Sequence, residues 1–104
     1  MSEYIYATGK KKCSCARVFL RYDPFNSFFS INNKNIDEFP YLHREFVLKP
    51  LILVNSVYNF FIKVSVCGGG FSSQLHAVRH GVSKALAEFS STAQGNYSTV
   101  ENVL

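Results

Sequence analysis

The sequence predicts an α+β domain, an open sheet with helices packed on a face. Three stretches carry that reading. Residues 15–22 alternate with a period of two, Ala16, Val18, Leu20 and Tyr22 against Cys15, Arg17, Phe19 and Arg21. Residues 57–67 do the same, with Ile62, Val64 and Val66 opposite Phe61, Lys63, Ser65 and Cys67. Residues 75–89 change to the helical period. At ~100° per residue, Leu75, Val78, Val82, Ala85, Leu86 and Phe89 make one apolar arc, and His76, Arg79, His80, Ser83 and Lys84 fill the neighbouring arc.

Taken in order, residues 4–22 read as one strand with Arg17 and Arg21 on its outward side. Asp23-Pro24-Phe25-Asn26-Ser27 is turn chemistry, since proline presets φ and Asp and Asn bond locally. Residues 28–32 return as a second strand, expected to be the hairpin partner of the first. Asn32-Asn33-Lys34-Asn35 is a further turn, because Asn tolerates positive φ. Residues 37–49 read as one short helix, or two broken near Pro40, stopped by Pro50, which lacks a backbone donor. Residues 51–54 are an apolar run of either type, broken by Asn55 and Ser56. Gly68-Gly69-Gly70 ends the strand of residues 57–67, and Ser72 and Ser73 are expected to cap the helix that follows. Ala77, Gly81 and Ala85 form a strip of small side chains on that helix. Gly81 costs about 1 kcal/mol relative to Ala there, so another backbone is expected to lie close to it. Residues 90–96 read as a polar loop, and residues 98–104 as the start of another helix. The order is β-β-α-β-α.

A length of 104 residues suits one domain. It is expected to comprise an arm at 1–9, a core at 10–89 and the start of a carboxy-terminal extension at 90–104. With 47% hydrophobic and 17% charged residues, the chain can bury a core. The net charge of +4 is unevenly spread. Lys10, Lys11, Lys12, Arg17 and Arg21 are five of the 11 basic residues, and residues 10–21 contain no acid; the remainder carries six basic against seven acidic side chains. A basic patch on a near-neutral body suits a polyanion. The odd number of cysteines, three, and the lack of an apolar start favour a reducing compartment over a secreted disulfide scaffold. No run approaches the ~20 apolar residues of a membrane span, so no membrane partner is expected. Frequent Phe, Tyr, Ile, Asn and Lys are what an A+T-rich gene encodes, which points to an organelle genome.

The glycine turn can present backbone N–H groups to a phosphate ahead of a helix N-terminus. Gly70 is followed by Phe71, so this is neither a nucleotide-hydrolase loop nor a dinucleotide fingerprint. His76 and His80 lie one helical turn apart, but Ala77 stands where a zinc protease needs Glu. Cys13 and Cys15, read as sharing a strand face, are separated by one residue, closer than structural zinc sites place their thiolates. No nucleophile has a base and an orienting group tied to it by a local pattern. The expectation is no enzyme, no catalytic residue, no metal and no cofactor. The lysine run continues into a strand, which holds those charges in place, and Arg79 and Lys84 follow a glycine turn. These cations are expected to converge on one surface.

Three separated motifs resemble one family. They are Thr8-Gly9-Lys10-Lys11-Lys12-Cys13-Ser14-Cys15-Ala16-Arg17-Val18; Ile31-Asn32-Asn33-Lys34 with Asp37-Glu38-Phe39-Pro40; and Gly68-Gly69-Gly70-Phe71-Ser72-Ser73-Gln74 with Ala77-Val78-Arg79-His80-Gly81-Val82-Ser83-Lys84-Ala85-Leu86. In this order they resemble protein nine of the small ribosomal subunit. The resemblance spans about residues 4–104. It implies a four-stranded antiparallel or mixed sheet backed by two helices, with a left-handed strand–helix–strand crossover, the fold of domain two of small-subunit protein five. It implies a structural constituent of the small ribosomal subunit that binds ribosomal RNA of the head, with neighbouring ribosomal proteins as further partners. The RNA-facing set by match and by chemistry is Lys10, Lys11, Lys12, Arg17, Arg21, Gly68, Gly69, Gly70, Ser72, Ser73, Gln74, His76, Arg79, His80 and Lys84. Cations, hydroxyls and bare glycine backbone suit phosphate and 2′-OH contacts.

The chain departs from the family pattern in places. Asn33, Ser73 and Leu75-His76 replace small residues. Family members also continue into a long basic tail that reaches the transfer RNA in the peptidyl site, whereas this sequence stops at Leu104, about where that extension starts. The expectation is a shortened form, with a separate chain supplying the tail or its function dispensed with. The expected location is the ribosome of a mitochondrion, with a plastid as the alternative. The alternative function is a free-standing nucleic-acid-binding module that uses the basic strand face.

Overall fold

The computed structural model describes residues 4–53 and 59–92. Five strands form one mixed sheet: β1 (Ile5–Lys11), β2 (Ser14–Tyr22), β3 (Phe28–Ile31), β4 (Lys34–Asn35) and β5 (Phe60–Cys67). Their order across the sheet is β1-β2-β5-β3-β4. A 3-10 turn, Ile36–Glu38, leads to helix α1 (Tyr41–Leu53), and helix α2 (Phe71–Thr92) follows β5. β5 runs antiparallel to β2 and parallel to β3. The β3-to-β5 crossover passes through α1.

Alternation in β2 and β5 decides the layers. Ala16, Val18, Leu20, Ile62, Val64 and Val66 are buried, and they share one core with Val47 and Leu51 of α1 and with Leu75, Val78, Val82, Ala85 and Leu86 of α2. Both helices therefore lie on one face of the sheet. No described helix packs on the other face.

The close approach anticipated at Gly81 is made by β1. A Cβ on Gly9 would collide with the Ala77 carbonyl oxygen and the Gly81 amide, and one on Gly81 would lie 2.7 Å from Val18 Cγ2 and 3.2 Å from the Gly9 nitrogen. Two glycines back to back let strand and helix backbones touch. Ala7, also buried, extends this contact and carries the core back to the first strand.

Several expectations are corrected. The sheet has five strands rather than four. Residues 4–22 are two strands, β1 and β2, joined at Lys12-Cys13 with Lys11 paired to Ser14. Lys12 has φ 54°, and positive φ at the first of two loop residues is the sign pattern of a type II′ hairpin. No Gly, Asn or Pro marks that turn in the sequence. β3 is not the hairpin partner of the first strand, because β5 lies between it and β2. Its partner is β4, through Asn32-Asn33 at φ 52° and 67°. Positive φ at both positions is the type I′ signature.

Pro50 does not stop α1, which runs on to Leu53. Val47, Pro50 and Leu51 are buried together, and that apolar face outweighs a missing helical bond. The break at Pro40 is real: the 3-10 turn and α1 lie on either side of it. α2 begins at Phe71, so Ser72 and Ser73 sit in its first turn rather than capping it, and it extends through Thr92 into the expected loop. The expected helix at 98–104 lies outside the described residues.

Candidate nucleic-acid interface

The glycine turn is built against the β1–β2 hairpin. Gly68 and Gly69 have φ of 82° and 63°. Added Cβ atoms there would strike the Cys13 carbonyl oxygen and Ser14 Oγ, respectively. Ser14 is only 1% exposed, and its hydroxyl donates to the Gly68 carbonyl at 2.8 Å. The Gln74 amide donates to the same carbonyl at 3.1 Å. Gln74, in the candidate set, thus ties the first turn of α2 to the loop before it. Gly70 differs from its neighbours: nothing lies within 4 Å of a Cβ built on it.

One end of the molecule therefore gathers the hairpin tip, the glycine turn and the start of α2. Lys10, Lys11 and Lys12 are exposed there, as are Gly68, Gly69, Gly70 and Ser72, while Ser73 is half-buried. The first helical bond of α2 runs from the Gln74 N–H to the Gly70 carbonyl at 3.0 Å. The amides of Phe71, Ser72 and Ser73 thus have no helical acceptor and carry the positive end of the helix dipole. No acid lies in the first turn of α2. Lysines, free amides and hydroxyls at one end form an arrangement that can hold phosphate oxygens.

Further along α2 the candidates divide. His80 and Lys84 are exposed, with Lys84 lining a shallow groove beside Tyr6 and Thr8. Arg79 is half-buried, its guanidinium 4.6 Å from the centre of the Phe46 ring of α1. The exposed His76 ring meets Phe46 edge-on, with ring centres 4.7 Å apart. Arg79 and His76 thus fasten α1 to α2.

Arg17 and Arg21 do not join this group. They point from the outer side of the sheet, away from both helices, because they occupy the alternate positions to the buried Ala16, Val18 and Leu20. The expected convergence of the strand cations with the helix cations is corrected: Lys10, Lys11 and Lys12 meet the glycine turn and the start of α2, whereas Arg79 lies against Phe46, Lys84 beside Tyr6 and Thr8, and the β2 arginines on the outer side of the sheet. Arg21 is also neutralised by Asp23 at 3.2 Å, and its guanidinium lies over the Tyr4 and Phe61 rings.

Two residues outside the candidate set organise this end. Ser14 is one. Asn32 is the other: its side-chain amide donates to the Val66 carbonyl at 3.0 Å and accepts from the Val66 N–H at 2.9 Å. One amide thereby acts as an extra rung between the β3–β4 turn and β5. A polar residue on the Ala16–Val18 face was the one signal for Ser14 in the sequence; Asn32 carried only a turn signal. Cys13 lies in the hairpin connection, so it shares no strand face with Cys15. No group of three His, Cys, Asp or Glu side chains that could hold a metal ion exists among the described residues. No described helix is long and apolar enough to cross a membrane.

Fold and site together define a small basic α+β domain with cations beside free helix amides at one end. A family model described as ribosomal protein S9/S16 matches residues 9–101, and the chain belongs to that family. It is accordingly a structural protein of the ribosome, a ribonucleoprotein component that serves translation, with ribosomal RNA and other ribosomal proteins as its partners.

Proposed function

We propose that the chain is a constituent of the small ribosomal subunit that binds RNA of the head through the Lys10–Lys12 hairpin tip, the Gly68–Gly70 turn and the first turn of α2. The observation that carries this reading is their packing: the Ser14 hydroxyl at the hairpin and the Gln74 amide of α2 both bond the Gly68 carbonyl. This fixes the lysines, the turn and the free amides as one unit. Its role is to hold folded RNA, with no chemical step. A phosphate backbone presents regularly spaced charge, and a fixed set of cations and amides binds it with little sacrifice of side-chain freedom. His80 and Lys84 extend the same surface along α2.

The setting we propose is a mitochondrial ribosome, supported by a composition rich in Phe and Tyr, 10 and 6 residues, and in Ile, Asn and Lys. The test is co-sedimentation in lysates of the source cells, using an antibody against the chain. The expected result is recovery with small subunits from the mitochondrial fraction, surviving moderate salt. Recovery only in free protein fractions would contradict the ribosomal reading of this surface. Recovery with cytosolic or plastid subunits would contradict the setting alone.

A further inference from the structure

We propose that the outer face of the sheet, on which no described helix packs, is a second docking surface, for single-stranded RNA, whose unpaired bases stack on Tyr6, Phe19 and Phe28 while Lys10, Arg17 and Lys63 neutralise the phosphates. This rests on the chain's reading as an RNA-binding protein and adds a surface of different chemistry to the basic end.

Strand register lays the face out. Lys10 pairs with Cys15, and Cys15 with Cys67, nearest the hairpin tip. Next come Thr8, Arg17 and Ser65, then Tyr6, Phe19 and Lys63. Arg21, Phe61 and Phe28 close the far end. Cations thus lead from the basic end into an aromatic floor. Tyr6, Phe19 and Phe28 are 49%, 38% and 39% exposed. Tyr6 and Phe19 lie with ring centres 5.0 Å apart, and Phe28 lies 5.3 Å from Phe61. Arg21 braces the floor, its guanidinium 4.7 Å from the Phe61 centroid while Asp23 absorbs its charge.

The chemistry selects the occupant. None of the five strands contains an acidic residue, and no described carboxylate pairs with Lys10, Arg17 or Lys63. The outward positions of β1, β2 and β5 hold aromatic, cationic, hydroxyl and thiol side chains, and no Leu, Ile or Val. Cations without described carboxylate partners on an acid-free sheet favour a polyanion as the occupant. Duplex RNA keeps its bases stacked inside, so the rings would gain nothing from it. Splayed bases use both the rings and the charge.

The test uses the full chain, a short oligouridylate and an RNA duplex of equal length. The single strand is expected to bind more tightly. Tyr6→Leu with Phe19→Leu, which keeps apolar bulk, is expected to lower oligouridylate affinity about tenfold while duplex affinity holds. The chain has no Trp, so tyrosine emission is readable directly. Oligouridylate is expected to quench it, and Tyr6→Phe to reduce the quench with affinity intact, a readout independent of the double variant's folding. In assembled subunits, photocrosslinks from Tyr6→p-benzoylphenylalanine are expected to reach RNA. Tighter duplex binding, an unaffected double variant, or crosslinks to protein alone would overturn the outer-face assignment and leave the basic end standing. Failure to bind either RNA would overturn the RNA-binding reading itself.

Discussion

Three consecutive glycines divide by what the fold demands of each. Gly68 and Gly69 hold positive φ against neighbouring atoms, while Gly70 faces open space. A side chain at either of the first two meets backbone strain of about 1–2 kcal/mol as well as a collision. At Gly70, at the head of α2, Ala is expected to change stability by well under about 1 kcal/mol, because the cap preference for Gly over Ala is offset by the smaller chain entropy that Ala loses on folding. If the open space is where RNA backbone approaches, Gly70→Ala should weaken RNA binding with unfolding almost unmoved. Paired denaturant and binding titrations would separate these effects; a variant that binds normally would remove Gly70 from the interface. Asn32 gives the opposite expectation. Asn32→Ala strips both bonds from Val66 and should cost about 2–3 kcal/mol of stability in a urea titration, because the orphaned backbone groups stay partly buried. A change below the error of the extrapolation would show that the rung contributes nothing.

At the scale of elements, the β1–β2 hairpin places a lysine where glycine fits better. Lys12 sits at φ 54°, a conformation that costs an L-residue of this kind about 1 kcal/mol or slightly more. Lys12→Gly is expected to stabilise the domain by about 1 kcal/mol and to weaken RNA binding. A variant that is less stable, or one that binds RNA as well as the parent, would contradict the view that local strain is tolerated here for charge placement. The same hairpin explains what the sequence could and could not reveal. β2, β5 and α2 were legible because each is long and half-buried, so burial writes its period into the residue order. The Lys12-Cys13 turn was not, since its residues carry no turn preference, and two strands merged into one. Two-residue β4 is too short to show a period. Pro50 misled because a helix-breaking propensity is local, whereas the burial that overrides it comes from the rest of the core. The site was legible in composition, from a lysine run and a glycine run. Its construction was not: Ser14 reaches Gly68 across 54 positions and Asn32 reaches Val66 across 34. That Arg17 faces outward was legible in the alternation of β2; that β5 lies between β2 and β3 was not, because no local pattern encodes strand order.

The whole molecule has three chemically distinct regions. A closed core lies between the helices and one face of the sheet, lysines, a glycine turn and free helix amides collect at one end, and an aromatic and cationic floor covers the other face. The close packing of β1 on α2 through Gly9 and Gly81 couples the first two, because the strand that carries the lysines is seated directly on the helix whose N-terminus lies beside them. Rigid placement of charge is therefore the central claim, and its signature is a salt dependence that can be resolved phosphate by phosphate. The most direct measurement is the affinity of the full chain for a transcript of the small-subunit head RNA over a salt series, parent against Lys11→Ala with Lys12→Ala. The log–log slope is expected to become shallower by about 1 for each phosphate that is no longer neutralised, with far-UV circular dichroism unchanged. Equal slopes and equal affinities for the two proteins would contradict the account.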